Sequence, residues 1–200
     1  MKCPAFIDFG GSSSIWLHDN VIKVTSDVLT ASFYDFVIGS KIKSGLPEIR
    51  ELDNPEISEF TFSLDKVKKL YNIDSMEQDY KEKIFSFILA PSSIDNFRFF
   101  EMPYYDEFDD ELINSIDSWY NDRSCVWHKN VKWPESKSQI IDTINRIPSH
   151  FSRKICPDQT IKNLIRFVNS CKWPLSLDMS NGNILLNNNG QAIFNDMFTS

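Results

Sequence analysis

Short runs of β-branched and aromatic residues alternate with turns over the first 25 positions of the chain. Ala5 to Phe9, Ile15 to Leu17 and Val21 to Val24 each have the composition of a β-strand. The two stretches between them consist of small or polar residues, which favour turns. The pattern therefore predicts three consecutive strands, with a single lysine, Lys23, in the third.

Helical periodicity follows this β-rich part. Val28 to Ser44 is predicted to be a helix, with Ser26 or Asp27 as its N-cap and the Gly-Leu-Pro stretch at Gly45 as its end. Some strand character is predicted for Ile57 to Phe62, and a strand for Phe97 to Pro103. Further helices are predicted over Ser63–Tyr71, Ser75–Leu89, Asp106–Tyr120, Ser138–Arg146 and Pro157–Cys171.

The C-terminal stretch combines polar turns with a short hairpin. Apolar residues from Ile184 are followed by Asn189-Gly190, a pair that tolerates the positive φ of a tight β-turn, and then by apolar residues again. The hairpin is expected to bring Asp196 back towards Asn183 and Asp178. Three oxygen-bearing side chains can then converge, which suits magnesium and a phosphate ester.

The N-terminal strands carry a second group of residues suited to phosphate. Gly10, Gly11 and Ser12 to Ser14 form a small-residue loop in which backbone N–H groups can approach phosphate oxygens. The ammonium group of Lys23, on a strand nearby, can neutralise the charge of those oxygens. The oxygen-bearing residues near the C-terminus and the loop and lysine near the N-terminus together predict a nucleotide-binding cleft.

Composition restricts the class of protein. The 200 residues are 42% hydrophobic, which is enough for a globular core, and the order of elements predicts an α+β fold. A net charge of −7 makes nucleic acid an improbable partner. Neither a transmembrane helix nor a signal peptide is expected, and the protein is not expected to bind a membrane. The scattered cysteines (Cys3, Cys125, Cys156 and Cys171) indicate neither a zinc site nor a disulfide framework, which is typical of a cytoplasmic protein.

The spacing of the polar residues resembles that of the protein-kinase-like superfamily. Asp178 precedes Asn183 by five positions, and Asn183 precedes Asp196 by thirteen, as in the catalytic loop and metal-binding segment of that family. Within the superfamily, the chain is most similar to the early-gene Ser/Thr protein kinases of short-tailed bacteriophages. That likeness rests on Ser176, Asp178-Met179, Gly182-Asn183, Val21 to Val24 and Gly45 to Pro47.

The resemblance implies a minimal bilobal kinase-like fold with a truncated C-terminal lobe. Residues 1–103 would form the N-lobe-like part, with the glycine-serine loop (Gly10, Gly11, Ser12 and Ser13) and Lys23 on the ATP phosphates. Residues 104–200 would form an abbreviated helical C-lobe that ends in the catalytic hairpin.

The resemblance also implies roles for single residues. Asp178 would orient the acceptor hydroxyl and take its proton, and Asn183 and Asp196 would hold Mg²⁺ on the ATP phosphates. Glu101 and Met102 would belong to the hinge that receives adenine through backbone hydrogen bonds.

The sequence departs from the family pattern at several positions. Ser176 and Leu177 stand where the family has His and Arg, and Met197 and Phe198 follow Asp196 without the usual glycine. Asp35 is the only acidic residue well inside the first predicted helix that could pair with Lys23. Almost nothing follows Asp196 that could hold a peptide substrate.

Three functions are therefore compatible with the sequence. The first is an ATP- and magnesium-dependent phosphotransferase that modifies Ser/Thr hydroxyls of host proteins, in the host cytoplasm. The second is a pseudokinase that binds and inhibits a host protein, and the third is a small-molecule kinase. The acceptor and the oligomeric state are left open by the sequence.

Overall fold

The fold is mixed α+β. A computed structural model describes residues 2, 4–10, 13–41, 43–60, 97–106, 114, 135–147, 158–178 and 183–199. The chain divides into two compact units. The first comprises Met1–Ala31 and Glu48–Tyr104, and the second comprises Ser32–Pro47 and Tyr105–Ser200.

A five-stranded antiparallel sheet forms the first unit, in the order β1-β2-β3-β5-β4. Its strands are β1 (Ala5–Gly10), β2 (Ser13–Leu17), β3 (Val21–Thr25), β4 (Arg50–Glu51) and β5 (Arg98–Met102). The three N-terminal strands and the strand near residue 100 confirm the predictions made from β-branched and aromatic runs. The sequence did not predict β4, whose two exposed residues carry no apolar signal.

Side chains of a β-strand alternate between the two faces of its sheet, and in β3 both faces are covered, because the consecutive residues from Ile22 to Thr25 are all buried. Ile22 and Val24 lie on one face of β3, and Trp16 is the cross-strand neighbour of Ile22. The ring of Trp16 packs edge-on against Phe6 of β1, with centroids 5.0 Å apart. These side chains supply the core that fixes the register of the sheet.

Helix α1 (Val28–Gly39) begins where the sequence predicts. The carboxylate of Asp27 accepts hydrogen bonds from the backbone N–H groups of Leu29 and Thr30, as an N-cap does. The predicted end at Ser44 is wrong, because the helix ends at Gly39. There the N–H of Ser40 donates to Val37 O and the Ser40 hydroxyl to Phe36 O, which closes the last turn.

Helix α2 (Asn54–Ser58) contains the first two residues of the stretch predicted to have strand character. Further along that stretch Phe60 forms an isolated parallel bridge with Lys2, and residues 61–62 lie outside the described residues. A capping box starts the helix: Asp53 accepts from the Glu56 N–H, and the Glu56 side chain accepts from the Asp53 N–H. Pro55 fits the first turn, where its missing N–H costs nothing. Local capping therefore overrides the β-propensity of Ile57, which is buried on the helix.

Within the described residues, the second unit contains two further helices and two small sheets. Helices α3 (Lys137–Asn145) and α4 (Asp158–Ser170) confirm the predictions for these stretches. Strands β6 (Ser176–Leu177) and β9 (Phe198–Thr199) pair with each other, as do β7 (Ile184–Leu186) and β8 (Ala192–Phe194). The rings of Phe33, Phe167 and Phe198 pack with centroids 4.8–5.5 Å apart and form a core of this unit.

Other predictions fall outside the described residues: the helices over 63–71 and 75–89, and most of the helix over 106–120. Asp106 is not helical but forms an isolated bridge with Leu186. Across the part of the chain that the structure describes, no helix is long and apolar enough to cross a membrane.

Candidate functional site

The three polar residues of the C-terminal stretch lie at the ends of short strands in the second unit. Asp178 directly follows β6, Asn183 directly precedes β7, and Asp196 lies between β8 and β9. Leu177 pairs with Phe198 across one ladder, and Ile184 pairs with Phe194 across the other. The two ladders therefore bring the three polar segments side by side.

Hydrogen bonds join these segments directly. The N–H of Asp178 donates to Met197 O over 2.8 Å, and the N–H of Asn195 donates to Asn183 O over 2.8 Å. The Asn183 side chain donates through Nδ2 to Asp178 O over 3.0 Å, which directs its Oδ1 away from that bond. Asp178, Asn183 and Asp196, named here the carboxylate group, thus share one hydrogen-bonded framework.

The chemistry of the carboxylate group fits a hard cation. Two carboxylates and an amide offer only oxygen ligands, and all three residues are half-buried, so ions can reach them. Among the described residues, no three His, Cys, Asp or Glu side chains form a metal site by themselves. Mg²⁺ commonly binds to one or two carboxylates and takes its other ligands from water and substrate phosphates. The group therefore fits magnesium that arrives with a phosphate ester.

Tyr34 of α1 contacts this framework, which was not predicted from the sequence. Its hydroxyl donates to Asn195 Oδ1 over 3.1 Å, and both residues are buried. Burial raises the pKa of the Tyr34 phenol well above its ordinary value, and the negative charge of Asp196 raises it further. Tyr34 therefore remains neutral and holds the segment next to Asp196. No local pattern predicts such a contact between residues 161 positions apart.

Ser176 stands where the kinase pattern that the sequence resembles has histidine. Its side chain is buried, and within the described residues its hydroxyl has no hydrogen-bond partner. A buried hydroxyl without a partner is destabilising, so Ser176 contributes less to stability than a hydrogen-bonded serine would.

Lys23 lies in the sheet of the first unit, where only 4% of its surface is exposed. Its cross-strand neighbours are Ile15 of β2 and Phe100 of β5. Glu101 and Met102, the residues assigned to the hinge, lie on β5 directly beside β3, opposite Ile22 and Val21. The sheet thus places Lys23 and the two candidate hinge residues on adjacent strands.

The glycine-serine loop is shorter in the structure than in the sequence-based prediction. Gly10 ends β1 and pairs with Ser13, which begins β2, while Gly11 and Ser12 lie outside the described residues. The Ser13 hydroxyl donates to Thr25 Oγ1 over 2.8 Å, and the Ser14 hydroxyl accepts from the indole N–H of Trp16. These two hydroxyls therefore stabilise the sheet.

The side chain of Glu101 is engaged at the edge of the same sheet. Arg50 Nε donates to Glu101 Oε2 over 2.7 Å, and Asn20 Nδ2 donates to Oε1 over 3.3 Å. The backbone of Glu101 lies within the sheet as well, because Glu101 pairs with Ile22 of β3 on one side and with Arg50 of β4 on the other. Asp35, the acidic residue considered as a partner for Lys23, is exposed on α1.

Comparison with known proteins adds no relative. No protein-family model matches the chain, and no curated protein matches it significantly.

Proposed function

We propose that the chain is an ATP- and magnesium-dependent phosphotransferase that modifies Ser/Thr hydroxyls of host proteins, similar to the phage kinases that its motifs resemble. The carboxylate group is the observation that carries this proposal. Two ladders of two and three residue pairs bring together an Asp, an Asn and a second Asp that are spread over 19 positions of the sequence.

Each residue of the group has a role that suits phosphoryl transfer. Asn183 Oδ1 and the Asp196 carboxylate would hold Mg²⁺, which neutralises charge on the phosphates when it is bound. The Asp178 carboxylate would accept the proton of the acceptor hydroxyl. At the same time the hydroxyl oxygen would bond to the γ-phosphorus, and the bond between that phosphorus and the leaving ADP oxygen would break. Positioning and charge neutralisation supply most of the catalysis in such reactions.

The first unit supports the proposal with a lysine next to a candidate adenine-binding strand. Lys23 on β3 would bind the α- and β-phosphates. Adenine would bind on the neighbouring strand, at the Met102 end of β5, as the resemblance implies.

A second candidate function is a pseudokinase that binds and inhibits a host protein. The burial of Lys23 and the engagement of the Ser13 and Ser14 hydroxyls within the sheet favour it, because both reduce the polar groups available to phosphate. A protein of this kind would not transfer phosphate but would still bind its partner.

Transfer from γ-labelled ATP tests the first candidate. Wild-type protein is incubated with labelled ATP and Mg²⁺, with and without a host lysate, beside the Asp178→Asn variant. We expect labelled protein with the wild type and a loss of at least ~100-fold in the variant, since general-base catalysis contributes about that much.

The Asp19→Asn variant is the matched control, because Asp19 is an exposed carboxylate in the turn before β3. It should label as the wild type does. Equal labelling by the wild type and Asp178→Asn would remove Asp178 from the proposed role. No labelling by any form, together with capture of a host protein, would favour the pseudokinase.

A further inference from the structure

A small cavity opens at the C-terminal end of α4, in the second unit. Its volume is about 190 Å³, and the aromatic side chains of Phe36, Phe167 and Trp173 line much of it. Ser32 of α1, Cys171 and Lys172 contribute to the wall as well. None of these residues belongs to the carboxylate group or to the Lys23 region.

The size of the cavity selects what can enter it. A cavity of ~150 Å³ holds one benzene molecule, whereas sites for nucleotides and drug-sized ligands measure ~300–1,000 Å³. The space therefore suits one aromatic or branched apolar side chain. A single side chain of this kind is how a partner protein anchors itself in an interface.

The wall of the cavity has the residue types of a binding hot spot. About half of the surface of Trp173 is exposed (51%), although burying an indole ring would remove a large apolar area from water. Trp and Arg are enriched among residues that dominate interface energies. The Arg166 guanidinium lies over the Phe36 ring, 5.8 Å from its centroid, and so adds a cation beside the aromatic wall.

Basic side chains lie at and beside the cavity, although the whole chain carries −7. Lys172 lines the cavity, Arg166 covers Phe36, and Lys162 is exposed one turn earlier on α4. The lining residues include no aspartate and no glutamate, and the exposed Asp35 precedes Phe36 on α1. At physiological salt, charges beyond ~8 Å are largely screened, so a short ligand responds mainly to the charges beside the cavity.

The end of α4 would normally repel an anion, because a helix C-terminus carries partial negative charge. Here the Lys137 ammonium donates to Asn169 O over 3.2 Å and also to Cys171 O. This cation compensates the carbonyls at the end of the helix, which leaves Arg166 and Lys172 available to attract acidic groups.

We propose that this cavity is a docking site for an acidic segment of a partner protein that inserts one apolar side chain between Phe36 and Trp173. Aspartate or glutamate residues beside the anchor pair with Lys172 and Arg166. A second copy of this chain is a poorer occupant, since two chains of charge −7 repel each other. The proposal does not depend on phosphotransfer.

Fluorescence anisotropy with a labelled peptide tests the proposal. The probe is a short fluorescein-labelled peptide with one phenylalanine flanked by aspartates and glutamates. One control peptide has serine in place of the phenylalanine, and another has amides in place of the acids. We expect the acidic peptide to bind at micromolar concentration and each control at least ~10-fold more weakly, a difference of ~1.4 kcal/mol.

Protein variants locate the binding. Trp173→Ala and Lys172→Glu should each weaken binding by ~10-fold or more, since the first removes the apolar anchor site and the second reverses a charge. Lys43→Glu, an exposed lysine outside the cavity, is the matched control and should bind as the wild type does. Circular dichroism checks the fold, and Lys172→Glu decides the matter if Trp173→Ala does not fold.

Several outcomes would overturn the proposal. One is no binding up to about 1 mM peptide, and another is equal binding of the amide peptide. Binding that survives both Trp173→Ala and Lys172→Glu would place the site elsewhere. Self-association by sedimentation that Trp173→Ala abolishes would make a second copy the occupant instead.

Discussion

The sheet of the first unit and the small ladders of the second unit are held in different ways. The sheet has five strands, and contacts between neighbouring strands stabilise it. One example is Arg98 of β5, whose guanidinium donates two hydrogen bonds to the carboxylate of Glu51 on β4. The ladders have only two or three residue pairs each, and isolated two-stranded pairs are at best marginally stable in water. They must therefore be held by residues outside the strands.

Three contacts from residues 33–45 hold the ladders. Phe33 packs against Phe198 of β9, with centroids 5.5 Å apart, and Tyr34 donates to Asn195. The carbonyl of Gly45 accepts from the N–H of Phe194 in β8 over 2.8 Å. The candidate catalytic residues thus depend on α1 and on the segment that follows it, whereas Lys23 depends on its own sheet.

The largest effect is expected at Gly45. Its φ is +67°, and a Cβ there would collide with the Thr160 side chain of α4. Gly45→Ala should therefore lower the free energy of unfolding by about 2–5 kcal/mol, from the unfavourable φ and from overpacking together. Urea denaturation measures this change.

Gly190 is the matched control for Gly45. Its φ is +69°, but a Cβ there would meet nothing within 4 Å. Gly190→Ala should cost only about 1 kcal/mol, for the backbone alone. Similar losses at both glycines would show that contact with α4 does not hold this segment.

Tyr34→Phe should have the next largest effect. It removes the hydrogen bond to Asn195 and leaves a buried amide oxygen without that donor, which costs about 1–3 kcal/mol. Tyr104→Phe, at an exposed tyrosine, should change stability by less than ~0.5 kcal/mol.

The pH dependence of Tyr34→Phe separates the hydrogen bond from general packing. The folded-state pKa of Tyr34 is raised, so the stability it contributes is fully present below its ordinary pKa of 10.0 and is lost as the pH rises above that value. The variant should lose less stability than the wild type between neutral and alkaline pH. Parallel alkaline curves for both proteins would contradict this role.

The smallest effect is expected at the edge of the sheet. A hydrogen bond from Arg50 lowers the pKa of the exposed Glu56, and the backbone N–H of Asp53 lowers it further. The stability that this pair contributes is therefore present above the ordinary pKa of 4.5 and is lost as the pH falls through the lowered value. Glu56→Gln should slightly flatten the acid limb of a thermal-denaturation series, and Asp106→Asn, at an exposed carboxylate of the second unit, should leave it unchanged.

The difference between the two regions also explains what the sequence predicts well. The strands of the sheet have dense β-branched and aromatic runs, so β1, β2, β3 and β5 follow from local composition. The turn at Gly190, with its positive φ, follows from Asn-Gly chemistry. The apolar pattern does not predict β4, because both of its residues are exposed. It does not predict α2 either, because a capping box starts that helix.

The candidate site is predictable only in part. The spacing of Asp178, Asn183 and Asp196 around a hairpin indicates that they lie close together, since the intervening turns are local. The contact of Tyr34 with Asn195 and that of Gly45 with Phe194 bridge about 150–160 positions and depend on packing, which no local pattern records. The sequence predicts the end of α1 too late, because Gly45 before Leu46-Pro47 is a stronger stop signal than Gly39, where the helix ends.

Ligand-induced stabilisation tests the central claim most directly, namely that the ladders build a site for magnesium and nucleotide phosphate. Melting temperatures are measured for the wild type, Asp196→Asn and the control Asp19→Asn with about 1 mM ATP, with and without Mg²⁺. We predict a magnesium-dependent rise in melting temperature for the wild type and Asp19→Asn that Asp196→Asn loses. No rise in the wild type, or an equal rise in all three proteins, would contradict the account.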